Sequence, residues 1–536
     1  MTQPANQTQL AQPSIARSAF LVATAIFLSR ILGLVRERVF NHYFGLSGVA
    51  DAFRAAMRIP NILQNLLGEG VLSASFIPVY AKLTAQNQKE EAGRVAGAIF
   101  SILAMVTSLL VLVGVLATPL LIDVIAPGFK DERRPLAIQL VRVFFPGVGF
   151  LVLSAWCLGI LNSHRKFFLS YVSPVVWNVA MIAALVAFGR SSDLNRLAYY
   201  TAWGSVVGSA LQFLVQLPVV IRLAPALRLA LYLASENVRT VIRNFGPAFV
   251  SRGVTQISAY VDSIFATKIG VGALAALTNA QLISVLPISL FGMSISVAEL
   301  PAMSSVLGSE QEVAGALHRR ITSSTERIGF FVVPSAIAFL ALGDVIVAGI
   351  FQTQTGRLTH DDVLRIWGIL AGSAVGLVAA TVGRLYSSAY YALRDTRTPL
   401  RYATIRVILT TILGYLFALP LPRLIGHPDW GTAGLTASYG ISAWMEFLLL
   451  RRGMAQRIGA ITSQKAYFAK LWGSAIVAAA VAWSVKLLLH PQHPIIAAIL
   501  ILVPYGAVYL VVTTLLGVKQ AGGLMRRAWL FSKSRA

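Results

Sequence analysis

The chain of 536 residues has a single cysteine, Cys157. One thiol can form neither an intrachain disulfide nor a cysteine metal cluster. It stands in an apolar run and reads as a small buried hydrophobe. Charge is scarce as well: 12% of residues are Asp, Glu, Lys or Arg, against 56% hydrophobic. A soluble domain carries roughly 25% charged residues to solvate its surface, so a soluble enzyme is excluded. Acidic residues are the scarcer kind, 21 against 45 basic, for a formal net charge of +24. Period-2 alternation is missing, which excludes a membrane β-barrel. Also missing are His-Glu-x-x-His, a P-loop, Gly-x-Ser-x-Gly, and a carboxylate pair beside a nucleophile. No catalytic centre, metal site or cofactor is therefore expected. Residues 1–16 lack the basic start and small-residue cleavage site of a signal peptide, and read as a flexible tail.

What the chain does have is long apolar runs, among them 95–122, 143–164, 197–221 and 487–518. A membrane-spanning helix needs about 20 such residues, each rising 1.5 Å across a core of about 30 Å. Turn residues and basic clusters separate the runs. They predict an all-α integral membrane protein with about 14 transmembrane helices, at 17–44, 49–84, 92–126, 134–163, 169–189, 196–222, 237–269, 272–307, 313–342, 361–393, 399–420, 432–454, 465–489 and 494–517. With the N-terminus inside, the inner connections and the C-terminal tail hold 24 basic residues and the outer connections nine. That bias fits the positive-inside rule, with an even number of spans and both termini cytoplasmic. No run of basics interleaved with aromatics stands out, so nucleic acid is not an expected partner.

The sequence resembles itself at an offset of about 225 residues. Gly45 recurs as Gly270, Pro60 as Pro287, Pro78 as Pro301, Phe129 as Phe351 and Arg165 as Arg394. Two copies of six helices have an even span count, so they are expected as parallel repeats, with a substrate site at the lobe interface near the midplane. The expected organisation is a tail at 1–16, a six-helix lobe at 17–230, a second at 231–459, an extra helix pair at 460–518 and a basic cytoplasmic tail at 519–536.

The second expected helix is the informative one. Asp51, Arg54, Arg58, Asn61, Asn65 and Glu69 recur at spacings of three and four, so they share one helix face. The stripe rises through 18 residue steps from Asp51 to Glu69, roughly 27 Å at 1.5 Å per residue, close to the hydrocarbon thickness. Pro60 lies within it, where a kink is expected. Charges at that depth cost about 2.5–3.5 kcal/mol each on insertion scales, so they must face a wet cavity or one another. The first helix adds Arg30 and Glu37 on one face, with Ser29 and Arg36 beside them. The seventh carries Arg252, Gln256, Tyr260, Ser263 and Thr267 on a second polar face. Arg30, Arg36, Arg54 and Arg58 concentrate in two adjacent helices, and a guanidinium fork suits phosphate because it donates two parallel hydrogen bonds. An anionic cargo is expected. Asp361 and Asp362 read as a helix N-terminal capping feature, and Gly368, Gly372 and Gly376 as small-residue helix packing.

These residues resemble a known family. Ser29-Arg30-Ile31-Leu32-Gly33-Leu34-Val35-Arg36-Glu37 is similar to the first-helix signature of the MurJ/MviN lipid II flippases, in the MOP exporter superfamily. Asp51-Ala52-Phe53, Pro60-Asn61, Glu69-Gly70 and Phe76-Ile77-Pro78 resemble that family's second helix in order, and Ala126-Pro127-Gly128-Phe129 the loop after its third. The resemblance covers essentially the whole chain, including the extra C-terminal pair. It implies movement of an undecaprenyl-pyrophosphate-linked peptidoglycan precursor from the inner to the outer leaflet of the bacterial inner membrane. Arg30, Arg36, Asp51 and Glu69 are the matching site residues, and the last two helices would help form a groove for the lipid tail. The family often has a basic residue where Gln64 stands, and an Asp-Arg pair where Gln281-Leu282 stand; Arg252 is expected to supply the missing charge.

The expected binding set is therefore Arg30, Arg36, Asp51, Arg54, Arg58, Asn61, Glu69 and Arg252. The expected partners are the lipid-linked anionic substrate, lipid II, and membrane lipids, with the cell-wall synthesis machinery a further candidate. The expected mechanism is alternating access. The alternatives are a MOP-type exporter of another polyprenyl-linked oligosaccharide, a drug or cation antiporter, a membrane glycosyltransferase or phosphatase, and a scaffold.

Overall fold

The computed structural model describes residues 12–190, 193–306, 309–459, 464–489 and 493–523. Its contacts divide the chain into two compact units, 1–264 and 265–536. Unit 1 contains α1 (Gln12–Phe44), α2 (Gly48–Leu67), α3 (Glu69–Ser75), α4 (Ile77–Ala85), α5 (Lys89–Leu116), α6 (Thr118–Ile125), α7 (Arg133–Ser163), α8 (Phe167–Phe188) and α9 (Leu194–Leu223). The division falls inside α10 (Glu236–Ile269). Unit 2 contains α11 (Ala273–Pro287), a π-helical turn at Ile288–Met293, α12 (Ser294–Ser304), α13 (Glu310–Ala341), α14 (Gly343–Phe351) and α15 (His360–Ala392). It continues with α16 (Arg397–Ala418), α17 (Pro420–Leu424), α18 (Gly431–Ile458), α19 (Lys465–Leu488) and α20 (Pro494–Leu515). No strand occurs among the described residues.

All fourteen expected spans fall on helices. Eleven helical runs among the described residues are long and apolar enough to cross a membrane, one of them being Gly48–Ala85 taken through α2, α3 and α4. The other three expected spans lie in α1, α10 and α18, outside those eleven. The helices sort their faces as a lipid-embedded bundle must. On α5, Val95, Ala98 and Ile99 are buried, while Met105, Leu109, Leu112 and Leu116 are exposed at helical spacing. Water would penalise such a stripe, whereas hydrocarbon accepts it once every backbone group is satisfied within the helix.

The second expected helix is not continuous. Pro60 stays inside α2 without ending it, and the break comes at Gly68, whose backbone adopts φ −90° and ψ −144°. A Cβ there would lie 2.3 Å from the carbonyl oxygen of Gln64, so only glycine turns the chain between α2 and α3. The Asp51-to-Glu69 stripe therefore runs over two helices, not one.

Inside unit 1, Trp156 on α7 is fully buried and donates from Nε1 to the carbonyl of Ala96 on α5 at 3.1 Å. Phe76, Tyr80, Val95, Ile99 and Cys157 complete this core. In unit 2, α15 packs closely against α18. A Cβ on Gly376 would lie 2.2 Å from Gly440 Cα, and one on Gly372 would lie 2.5 Å from the Ala433 carbonyl. Thr359 caps α15: its Oγ1 accepts from the Asp362 N–H at 3.2 Å, and the Asp362 carboxylate accepts from the Thr359 N–H at 3.1 Å.

The internal repeat has a backbone counterpart. Arg165 and Arg394, paired at an offset of 229 in the sequence, both adopt the left-handed conformation, with φ of 57° and 59°. Each follows a long helix, α7 or α15, and donates its N–H three residues back at 3.0 Å, to Asn162 or Tyr391. The left-handed glycine corresponding to Gly45 (φ 54°) is Gly272 (φ 80°), two residues beyond the Gly270 that sequence matching selects.

Between α15 and α16, Asp395 accepts from the Thr398 hydroxyl at 2.6 Å and its N–H at 3.0 Å, and from Arg457 on α18 at 2.5 Å. The Thr398 hydrogen bonds, reinforced by Arg457, hold this carboxyl down to about 2.

Candidate functional site

The charged residues of α1 and α2 form two separate ionic groups. In the first, Glu37 is 5% exposed and serves two arginines. Its Oε1 accepts from Arg36 Nη2 at 2.6 Å, and its Oε2 accepts from Arg54 Nη2. Arg36 also donates from Nη1 to Asn178 Oδ1 at 3.1 Å and lies 4.6 Å from the centre of the Trp177 ring. Arg54, itself 7% exposed, lies 4.2 Å from the centre of the Phe40 ring. Two guanidinium groups on one carboxylate leave a net charge of +1, and the aromatic faces help hold it out of water.

In the second group, Asp51 is fully buried and pairs with Arg133 Nη1 at 3.4 Å. Arg133 bonds Asp131 at 2.9 Å as well and lies over the Phe129 ring at 4.7 Å. Arg133 is one of the nine basic residues that the sequence places in the outer connections. Asp51 and Arg54 are therefore engaged with α7 and α1, and do not line an open surface.

Arg58 is half-buried and faces α10. It donates to Ser263 Oγ and lies 5.5 Å from the centre of the Tyr260 ring. The Tyr260–Ser263 part of the α10 polar face thus receives the third arginine of the stripe. Arg30 is exposed on α1, and Asn61 and Asn65 are exposed on α2. The side chains of Glu69 and Arg252 lie outside the described residues. The structure accordingly brings Arg36, Arg54 and Glu37 together, and Asp51 with Arg133. Arg30 is not joined to either group by an ion pair among the described residues.

Beside Arg36 lies a cavity of about 540 Å³ wholly within unit 1. Asn61, Gln64 and Asn65 of α2 form part of its wall, with Ser73 of α3 and Ser154 of α7. Ser170, Ser173, Trp177 and Asn178 of α8 and Gln212 of α9 contribute the rest of its polar lining. Asn178 is thus both a wall of the cavity and the acceptor for Arg36. Periodicity on α2 marked Asn61 and Asn65. It missed the α8 wall, although Ser170, Ser173 and Trp177 recur there at spacings of three and four, because the run reads as uniformly apolar. Among the described residues, no group of three or more His, Cys, Asp or Glu could hold a metal ion.

Many apolar helices, arginines buried in ionic groups and a polar cavity among those helices define a multi-pass membrane protein. Solved structures share the fold. A lipid II flippase MurJ in an inward closed conformation matches with a TM-score of 0.75 and 24% identity, over 93% of this chain and 98% of that one. An inward-facing MATE-family multidrug resistance transporter of the MOP superfamily matches with a TM-score of 0.62 and 17% identity, over 82% and 98%. Among curated relatives, the lipid II flippase MurJ of Burkholderia cenocepacia is 30% identical over 83% of this chain and 84% of the relative. The probable lipid II flippase MurJ of Rhizobium tropici is 31% identical over 82% of each. The sequence profile of the family described as Lipid II flippase MurJ matches residues 40–505. The chain belongs to the lipid II flippase MurJ family.

Proposed function

We propose that this protein moves lipid II, an undecaprenyl-pyrophosphate-linked peptidoglycan precursor, from the inner to the outer leaflet of the bacterial inner membrane. The observation that carries this reading beyond family membership is the Arg36–Glu37–Arg54 group. It keeps one uncompensated positive charge among apolar helices, next to a polar cavity. Fixed positive charge in a low-dielectric setting is costly unless an anion uses it, and guanidinium is matched to phosphate.

In this reading Arg36, Arg58 and Arg30 contact the pyrophosphate. Arg54 and Asp51 act through their partners as positioning residues, Asn61 lines the path of the head group, and Glu69 and Arg252 complete the set. The two six-helix repeats, 17–230 and 231–459, serve as the lobes of an alternating-access cycle. The helix pair at 460–518 supports the lipid tail. Both termini face the cytoplasm, as the excess of basic inner loops favours. Cell-wall synthesis enzymes consume the product on the outer face.

The test is rescue of a bacterium depleted of its own lipid II flippase, paired with a flipping assay in proteoliposomes. The wild-type gene is expected to restore growth. Arg36→Ala is expected to lower flipping at least tenfold at unchanged expression, since a charged hydrogen bond is worth about 1.5–3 kcal/mol. Full activity of Arg36→Ala would remove the arginine site from the mechanism.

A further inference from the structure

We propose that the cavity of unit 1 is a recognition pocket for the uncharged, hydroxyl- and amide-bearing sugar portion of a lipid-linked glycan. The proposal rests on the lipid-flipping reading and adds a substrate determinant separate from the arginines. At about 540 Å³, the cavity falls in the size range of pockets that hold discrete ligands, roughly 300–1,000 Å³.

Its lining decides the ligand class. Fifteen residues line it, and none is charged. Five are amides, Asn61, Gln64, Asn65, Asn178 and Gln212, and four are serines. A phosphate would find no cation there, and a metal or organic cation would find no carboxylate. An apolar ligand would strand the polar groups, at a cost of about 1–3 kcal/mol for each one left without a partner. Amides present donors and acceptors together, and hydroxyls can serve as either. That is the complement of sugar hydroxyls and N-acyl groups. Gln212 donates to Ser154 Oγ at 3.0 Å and Gln216 donates to the same atom at 2.6 Å. Both lone pairs of that hydroxyl are then used, which leaves its O–H as the remaining donor. Trp177 adds an aromatic wall, and its Nε1 is already satisfied by Ser205 Oγ at 3.1 Å.

Position supports the same assignment. The first sugar of a polyprenyl-pyrophosphate glycan is bonded directly to phosphate. Asn178, in the cavity wall, is one hydrogen bond of 3.1 Å from the Arg36 guanidinium. A phosphate held by Arg36 would therefore deliver the attached sugar to the mouth of a neutral pocket.

The experiment compares two ligands on the purified full-length protein in nanodiscs: undecaprenyl pyrophosphate, and the same lipid carrying its disaccharide-pentapeptide. Wild type is expected to bind the glycosylated lipid at least tenfold more tightly. In Gln64→Leu/Asn65→Leu that ratio is expected to fall to about two or less. Gln212→Leu, which alters the α9 wall, is expected to lower the ratio in the same direction, so the outcome does not depend on one folded variant. Equal binding of both ligands by wild type, or a ratio that survives in both variants, would overturn the pocket and leave the flipping reading standing. If wild type bound neither lipid, the flipping reading and the pocket would fall together.

Discussion

Glu37 carries more of the site than any arginine does, because it is the one carboxylate between Arg36 and Arg54. Replacing it with Gln leaves Arg54 buried against Phe40 without a counter-charge. Removing one partner of a buried ion pair costs about 3–5 kcal/mol. Glu37→Gln is therefore expected to lower the melting temperature in detergent sharply, and Glu37→Gln/Arg54→Met to recover most of the loss. A single variant as stable as wild type would show that Arg54 is solvated. Sequence periodicity placed Arg54 and Asp51 on one face of α2, but it could not show what packs against that face. Both proved to be buried in ion pairs with residues 17 and 82 positions away, Glu37 and Arg133. Long-range pairing leaves no periodic trace. Arg58 was more legible, since the polar spacing of Tyr260 and Ser263 on α10 advertised a face able to receive it.

Among the elements, helix existence was readable throughout and helix continuity was not. The apolar runs located helices at each expected span. Eleven helical runs among the described residues are long and apolar enough to cross a membrane, satisfying their backbone internally as hydrocarbon requires. The break between α2 and α3 escaped because Pro60, the obvious breaker, is tolerated inside a helix whose neighbours support it, while Gly68 makes the turn. The glycine series on α15 read correctly as packing: Gly372 and Gly376 lie where α18 comes closest. Gly376→Leu places its Cβ 2.2 Å from Gly440 Cα, so the pair must separate, and overpacking of this kind costs about 1–3 kcal/mol. The expected outcome is a lower melting temperature, with Gly440→Leu giving a similar loss and the double variant losing less than the sum of the two. Additive losses would mean that the two glycines do not share one contact.

At the scale of the whole molecule, charge does two different jobs. Most of the 45 basic residues fall in the connections and tails between the expected spans, where an excess on one side favours one orientation of a chain in the membrane. The remainder is held within the helices, where it can act on cargo. Lipid II carries its pyrophosphate charge outward in the proposed cycle, from a negative cytoplasm to a positive exterior. Each elementary charge moved gains about 2.3 kcal/mol per 100 mV, so two phosphate charges gain roughly twice that. The gain survives only if the protein does not carry a compensating positive charge across with the cargo. In the proposed cycle the arginines meet that condition: they are covalently fixed on helices, so over a complete cycle they move no net charge. Flipping in proteoliposomes is therefore expected to accelerate when the face corresponding to the cytoplasm is made negative, and to slow when the potential is reversed. Dissipating the potential is expected to reduce accumulation of lipid II in the far leaflet, while exchange between leaflets continues. A rate and an end-point both indifferent to the sign of the potential would mean that a co-transported cation balances the pyrophosphate, and that the net charge moved per cycle is zero.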